Sequence, residues 1–200
     1  GGVPHAHFGF ASAYDSVRES IFRVLGAIIP PDEEGFEVFL TGHSLGGALA
    51  TLCAVDVRTR MPHVSVTMYN FGSPKVGDEA FVLRYNSLVK NSFRVVNDAD
   101  VFARLPRNKG IGSVPGLPYY YHVGRTVLTS TERPKAWVEG ESAGEDPLKD
   151  RWGDISELLD AEVSLMQTVL DGRGWKSHVE NGYHAAMEQC TSSIANSTDP

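Results

Sequence analysis

Between Phe36 and Ala50 the chain reads Phe-Glu-Val-Phe-Leu-Thr-Gly-His-Ser-Leu-Gly-Gly-Ala-Leu-Ala, which sets G-x-S-x-G between a β run and a helical run. Residues 36–40 alternate in the manner of a strand, which extends over 36–41, while Leu45, Leu49, Leu52 and Cys53 recur at helical spacing, so Ser44 falls on the turn between them. A strand that passes this abruptly into a helix forces strained backbone at the serine and brings the two elements close together. The close approach is expected to require residues without a β-carbon at Gly42 and Gly46. This is the geometry of a nucleophile elbow, in which Ser44 Oγ stands free at the carboxyl edge of a sheet.

Around the elbow the chain alternates strands and helices. Phe10, Ala13, Tyr14, Val17, Ile21, Val24, Leu25 and Ile28 predict an amphipathic helix over 9–29, stopped by Pro30-Pro31. A helix over 44–59, a strand over 63–71, a helix over 78–90 and a strand over 92–97 follow. Strands separated by helices of this length imply parallel βαβ units covered on both faces, an α/β domain. Residues 98–118 read as a long loop rich in proline and glycine, 119–129 resume a β pattern, and 131–150 read as an exposed loop. Asp154-Ile-Ser-Glu157 has the form of a capping box, and apolar residues from Ile155 to Leu170 continue it as a helix.

Composition removes several classes of function. With 42% hydrophobic and 22% charged residues, 200 residues suffice for one domain with a substantial core. The formal net charge is −7 and lysine and arginine form no block, so the electrostatic footprint of a nucleic-acid binder is missing. No run approaches the roughly 18 consecutive apolar residues of a transmembrane segment, and the first residues lack the basic and apolar pair of a signal sequence, so a soluble domain is expected. Two cysteines, Cys53 and Cys190, exclude a disulfide framework, and the seven histidines show no metal-ligand spacing. None of these features fixes a compartment.

A serine hydroxyl attacks a carbonyl only when a base takes its proton and a third group orients that base. With a nucleophile elbow the expected chain order is serine, acid, histidine, with the acid on a loop that leaves a later strand. Asn97-Asp98-Ala99-Asp100-Val101 is such a loop, and spacing alone does not separate Asp98 from Asp100. Carboxylates beside a turn also serve as solvated loop residues or caps. For the base, His178 and His184 both follow the acid, His122 ends a strand and His43 fills the variable position of the elbow. The glycine-rich approach Asp171-Gly172-Arg173-Gly174 puts His178 on a late loop, whereas His184 falls in a terminal helix.

Several ordered motifs together resemble the class 3 lipase family. They are Gly42-His43-Ser44-Leu45-Gly46-Gly47-Ala48-Leu49-Ala50-Thr51-Leu52, then Asn70-Phe71-Gly72-Ser73-Pro74-Lys75-Val76-Gly77, then Arg94-Val95-Val96-Asn97-Asp98-Ala99-Asp100-Val101 with Leu105-Pro106. Smaller marks are His7-Phe8-Gly9-Phe10, Tyr120-Tyr121-His122-Val123-Gly124, and Ser177-His178 followed by Tyr183. The resemblance is dense over residues 7–128 and thins towards the histidine segment. It implies an α/β-hydrolase-type, mostly parallel sheet flanked by helices, forming a single domain over 1–200. Carried over residue by residue, it makes Ser44 the nucleophile, Asp100 the acid and His178 the base, with the Leu45 N–H in the oxyanion hole. His7, His122 and Ser73 are then scaffold residues.

The activity implied is hydrolysis of acylglycerol esters through an acyl-enzyme, with no metal and no cofactor, on a lipid ester substrate met in transient contact with a lipid interface. Phospholipase A1, galactolipase and soluble-ester esterase are the alternatives within the enzyme class, and a non-catalytic lipase-like interaction module is the alternative outside it. Because the resemblance begins close to Gly1, a domain is expected that lacks the family's N-terminal strands, its lid segment and the loop carrying the second oxyanion donor. Feeble turnover would follow.

Overall fold

The computed structural model describes residues 2–31, 33–97, 100, 102–106, 119–129, 137–139 and 178–197. Its centre is a sheet of β1 (Glu37–His43), β2 (Ser65–Phe71), β3 (Asn91–Asn97), β4 (Arg125–Thr129) and β5 (Trp137–Glu139), adjacent in chain order. The first four strands are parallel and β5 runs antiparallel to β4. Each β1-to-β2 and β2-to-β3 passage is a helical crossover, α2 (Leu45–Arg60) and α3 (Glu79–Leu88), as parallel pairing demands. A helix α1 (Phe8–Ile28) precedes the sheet and a helix α4 (Glu180–Ser197) follows it.

The main core lies where α2 packs on β1 and β2, with α1 and α3 against α2. Val57 from α2, Val64 and Met68 around β2, and Val82 and Tyr85 from α3 are fully buried. Burying a side chain of this size contributes about 1.5–3 kcal/mol, so the α2 interface outweighs any intrinsic preference of a glycine-rich helix start. A polar latch adds to it. Asp56 on α2 accepts from Arg18 Nε at 2.5 Å, from Arg18 Nη2 at 3.1 Å and from the Tyr14 hydroxyl at 3.1 Å. Burial first, then the neighbouring Cys53 and Asp56, pushes the Tyr14 phenol well above its ordinary range, so it remains a donor. On the opposite face of the sheet Phe39 and Tyr69 are exposed among the described residues, and Tyr69 stacks on Phe93 at 5.2 Å.

The expected elements recur with shifted ends. β1 continues to His43 and so delivers the chain directly into the turn at Ser44. Only 125–129 of the predicted 119–129 stretch joins the sheet, because Tyr121 instead bridges Gly77, its amide donating to the Gly77 carbonyl at 2.8 Å. Residues 137–139, inside a segment read as an exposed loop, form β5, a strand too short to stand out from its polar surroundings. The rest of 131–150, the helix expected from Ile155 to Leu170 and most of the 98–118 loop lie outside the described residues. Cys53 and Cys190 are both buried free thiols.

Asp78 ties the N-terminal segment to the α3 cap. Its carboxylate accepts from the amide of Phe81 at 2.8 Å, the cap bond proper, from the amide of His5 at 3.1 Å, and faces His5 Nδ1 at 3.0 Å. Desolvation pushes this carboxyl up, but the bonds from Phe81 and His5 outweigh it and hold the group below its ordinary value. A carboxyl lowered by folding contributes stability that is complete above its unfolded pKa of about 3.9 and is lost as pH falls through the folded value. Asp78→Ala is therefore expected to cost about 0.5–2 kcal/mol at neutral pH. Urea denaturation of the two proteins should show that difference shrinking below about pH 4, and a gap constant down to pH 3 would mean that charge at Asp78 plays no part.

Candidate active site

Ser44 joins β1 to α2 with φ 53° and ψ −124°, a conformation that costs a non-glycine residue of order 1–3 kcal/mol. It persists because the surroundings leave no alternative. The Ser44 amide donates to the Phe71 carbonyl at 2.9 Å, which pins the turn to the end of β2. A β-carbon on Gly42 would stand 2.3 Å from the Gly46 carbonyl oxygen, and one on Gly47 would stand 2.9 Å from Ser73 Cβ. One on Gly46 would meet nothing within 4 Å among the described residues. The steric demand expected at Gly42 and Gly46 thus falls on Gly42 and Gly47, since position 46 faces outwards. Leu45, half-exposed beside the serine, opens α2. Its amide is among the first N–H groups of a helix, which no intrahelical carbonyl serves.

His178 Nε2 lies 2.8 Å from Ser44 Oγ, and its Nδ1 lies 3.0 Å from each oxygen of Asp100. The imidazole and the carboxylate are both buried, at 2% and 0% exposure, and the Phe102 ring tilts against His178 with centroids 4.3 Å apart. Asp100 is held from several sides. Its amide donates to the Asn97 carbonyl at 2.9 Å, and its Oδ1 accepts from the amides of Phe102 at 2.8 Å and Ala103 at 3.3 Å. Its Oδ2 accepts from the Tyr183 hydroxyl at 2.5 Å. Burial, then the Asp100 charge, pushes the Tyr183 phenol well above its ordinary range, so the phenol is the donor in that bond.

The four residues named from sequence, Ser44, Leu45, Asp100 and His178, are therefore brought to one place at the carboxyl ends of β1 and β3. The competing residues are placed otherwise. His184 is 71% exposed on α4 and faces Glu188 at 3.5 Å. Desolvation, then the charges of Arg94 and Lys75, pushes the His122 imidazole well below the usual histidine range. His7 packs its ring against Phe10 and Tyr120, at 4.5 and 5.3 Å. Asp98 lies outside the described residues. Among them no group of three His, Cys, Asp or Glu side chains is arranged to hold a metal ion, and no helix is long and apolar enough to cross a membrane.

Tyr183 and Gly72 are parts of this site that sequence reasoning did not assign. Tyr183 stands five residues after His178, near the start of α4, and turns back onto the acid. Gly72, at φ 57°, leaves room for both: a β-carbon there would stand 2.7 Å from Asp100 Oδ2 and 2.8 Å from the Tyr183 hydroxyl. Both stand in motifs that carry the family resemblance, Gly72 before Ser73-Pro74 and Tyr183 after Ser177-His178, but neither motif by itself says that they meet at Asp100.

Known proteins share part of this sequence and part of this fold. A phospholipase A(1) DAD1, chloroplastic, of Arabidopsis thaliana is 37% identical over 112 residues, covering 52% of this chain and 24% of that protein. A secreted mono- and diacylglycerol lipase A of Penicillium cyclopium is 35% identical over 136 residues, covering 68% and 43%. The chain thus spans less than half the length of either relative. A solved triacylglycerol lipase, described as having a serine protease triad as its catalytic centre, superposes with a TM-score of 0.52 at 29% identity, over 64% of this chain and 46% of that one. The profile of the family described as lipase (class 3) matches residues 2–110, more than half of the chain, and the chain belongs to that family.

Proposed function

We propose that the chain carries the catalytic centre of a serine carboxylester hydrolase that cleaves acylglycerol esters through a Ser44, His178, Asp100 triad. The observation that carries this reading is the continuous line from the Ser44 hydroxyl through both nitrogens of His178 to the Asp100 carboxylate. With the proton on Nδ1 donated to Asp100, Nε2 keeps a lone pair for the serine proton. As Ser44 Oγ bonds to the ester carbonyl carbon, that proton passes to Nε2 and the carbonyl oxygen becomes an oxyanion, which accepts from the Leu45 N–H. Collapse breaks the carbon–oxygen bond of the alcohol, which leaves with the Nε2 proton. Water then attacks the acyl-enzyme and gives its proton to Nε2, and Ser44 is released with that proton as the fatty acid departs. The proton balance closes on His178.

The likeness to a chloroplastic phospholipase A(1) favours glycerophospholipid esters as a second substrate class for the same centre. Turnover on dispersed diacylglycerol compared with phosphatidylcholine separates the two readings.

A fluorophosphonate probe is expected to label the folded 200-residue chain and to fail with Ser44→Ala. Intact protein that takes no label would favour a non-catalytic module instead. Asp100→Asn should keep the fold and lower ester turnover by about 10⁴, through the wrong histidine tautomer. Tyr183→Phe removes one charge-assisted hydrogen bond from a buried carboxylate and is expected to cost about 1.5–3 kcal/mol in urea denaturation. An unchanged midpoint would show that the remaining donors hold Asp100 by themselves.

A further inference from the structure

His43 immediately precedes the nucleophile, and its side chain reaches across 135 positions of sequence to the backbone of the base. Its Nε2 lies 2.5 Å from the carbonyl oxygen of His178. A carbonyl only accepts, so the proton of this bond sits on His43 Nε2. The ring also lies against the residues it serves, with its centroid 4.7 Å from the His178 ring and 5.7 Å from the Tyr183 ring. Behind His178 the amides of Gly182 and Tyr183 both turn to the Val179 carbonyl, and His43 meets the carbonyl one residue earlier.

We propose that His43 is a positioning residue, which holds the main chain of His178 at a fixed distance from the elbow by donating its Nε2–H to the His178 carbonyl. Nucleophile and base are then joined twice. One link is the working bond between Ser44 Oγ and His178 Nε2, which breaks and re-forms in every cycle. The other runs from the neighbour of the nucleophile to the backbone of the base and carries no proton of the reaction. Because β1 delivers His43 and Ser44 as one rigid strand end, a displacement of the elbow carries the base with it. The working distance is thereby insulated from movement between the sheet and the start of α4. Proton transfer is steep in geometry, and a misplacement of about 1 Å can cost about 10²-fold in rate. His43 acts on turnover through His178 and touches no reacting atom.

The effect on turnover rests on the hydrolase reading above, while the hydrogen bond does not, and two measurements keep them apart. In the 200-residue protein with ring-¹⁵N histidine, NMR should show His43 as the Nε2–H tautomer when neutral. An Nδ1–H tautomer would overturn the proposal whatever the activity. On a short soluble ester, His43→Phe, which keeps a ring and loses the donor, should lower kcat tenfold or more with KM within about twofold. His43→Gln, which returns an N–H donor at similar reach, should recover to within about threefold of the parent. Turnover of His43→Phe within twofold of the parent, or His43→Gln as poor as His43→Phe, would overturn it. If the Phe variant does not fold, the tautomer and the Gln variant decide. A parent protein that neither hydrolyses the ester nor takes a fluorophosphonate label would count against the hydrolase reading, and the tautomer alone would then judge His43.

Discussion

Everything at this site depends on a strained serine held between two elements that approach too closely for ordinary side chains. Ser44 at φ 53° forgoes of order 1–3 kcal/mol, and the structure offsets this with the packing of the helix that follows. Ala48, Thr51, Leu52 and Ala54 on α2 are all buried, and the Thr51 hydroxyl returns to the Gly47 carbonyl at 2.8 Å. The helix can lie so close to β1 only because Gly42 and Gly47 present hydrogen where they cross. A methyl group at Gly42 would press on the Gly46 carbonyl and push the helix start outwards, taking with it the Leu45 amide. The geometry of the serine turn and the packing of the core are in this sense one constraint.

The second constraint is a carboxylate taken wholly out of water. A buried ionisable oxygen is tolerated when its lone pairs are met, and Asp100 is met by four donors: two backbone amides, the Tyr183 phenol and His178 Nδ1. Two of the four, the amides of Phe102 and Ala103, belong to the turn that follows Asp100 itself, so the carboxylate is already directed before α4 brings the phenol and the imidazole. That is what lets Asp100 select one tautomer of His178 and one ring orientation.

What could be read from the chain divides along the range of the forces involved. The elbow, α2 and β1 to β3 follow from local periodicity and from a few residues in contact through the turn, and their types were legible with ends displaced by one or two residues, whereas β4 begins six residues later than its pattern. The choice of His178 over His184 needed more than periodicity. Both lie near one helix, and what separates them is that His184 turns to solvent and Glu188 while His178 turns inwards. Gly47 and Gly46 are likewise adjacent glycines whose roles differ only by which of them faces Ser73. Tyr183 and His43 act over 83 and 135 positions, distances at which spacing carries no information. β5 was hidden for another reason: a three-residue strand takes its stability from pairing with β4, not from its own composition.

In the proposed triad the base reaches the nucleophile by a different route from the acid. Asp100 leaves β3 and is fixed by the sheet, whereas His178 comes with α4, whose buried stripe of Tyr183, Ala186 and Cys190 packs on β3 and β4. These residues follow i, i+3, i+7 spacing, so one helix face carries both the hydrophobic anchor and the donor to the acid. Docking of α4 and the meeting of His178 with Asp100 are therefore coupled through Tyr183. Loosening the anchor at Ala186 or Cys190 would withdraw the phenol and the imidazole together and leave the core around α2 intact, because none of the described side chains of α4 belongs to that core. The proposed catalytic centre can thus open at a smaller energetic cost than the fold, since local openings span free energies below that of global unfolding.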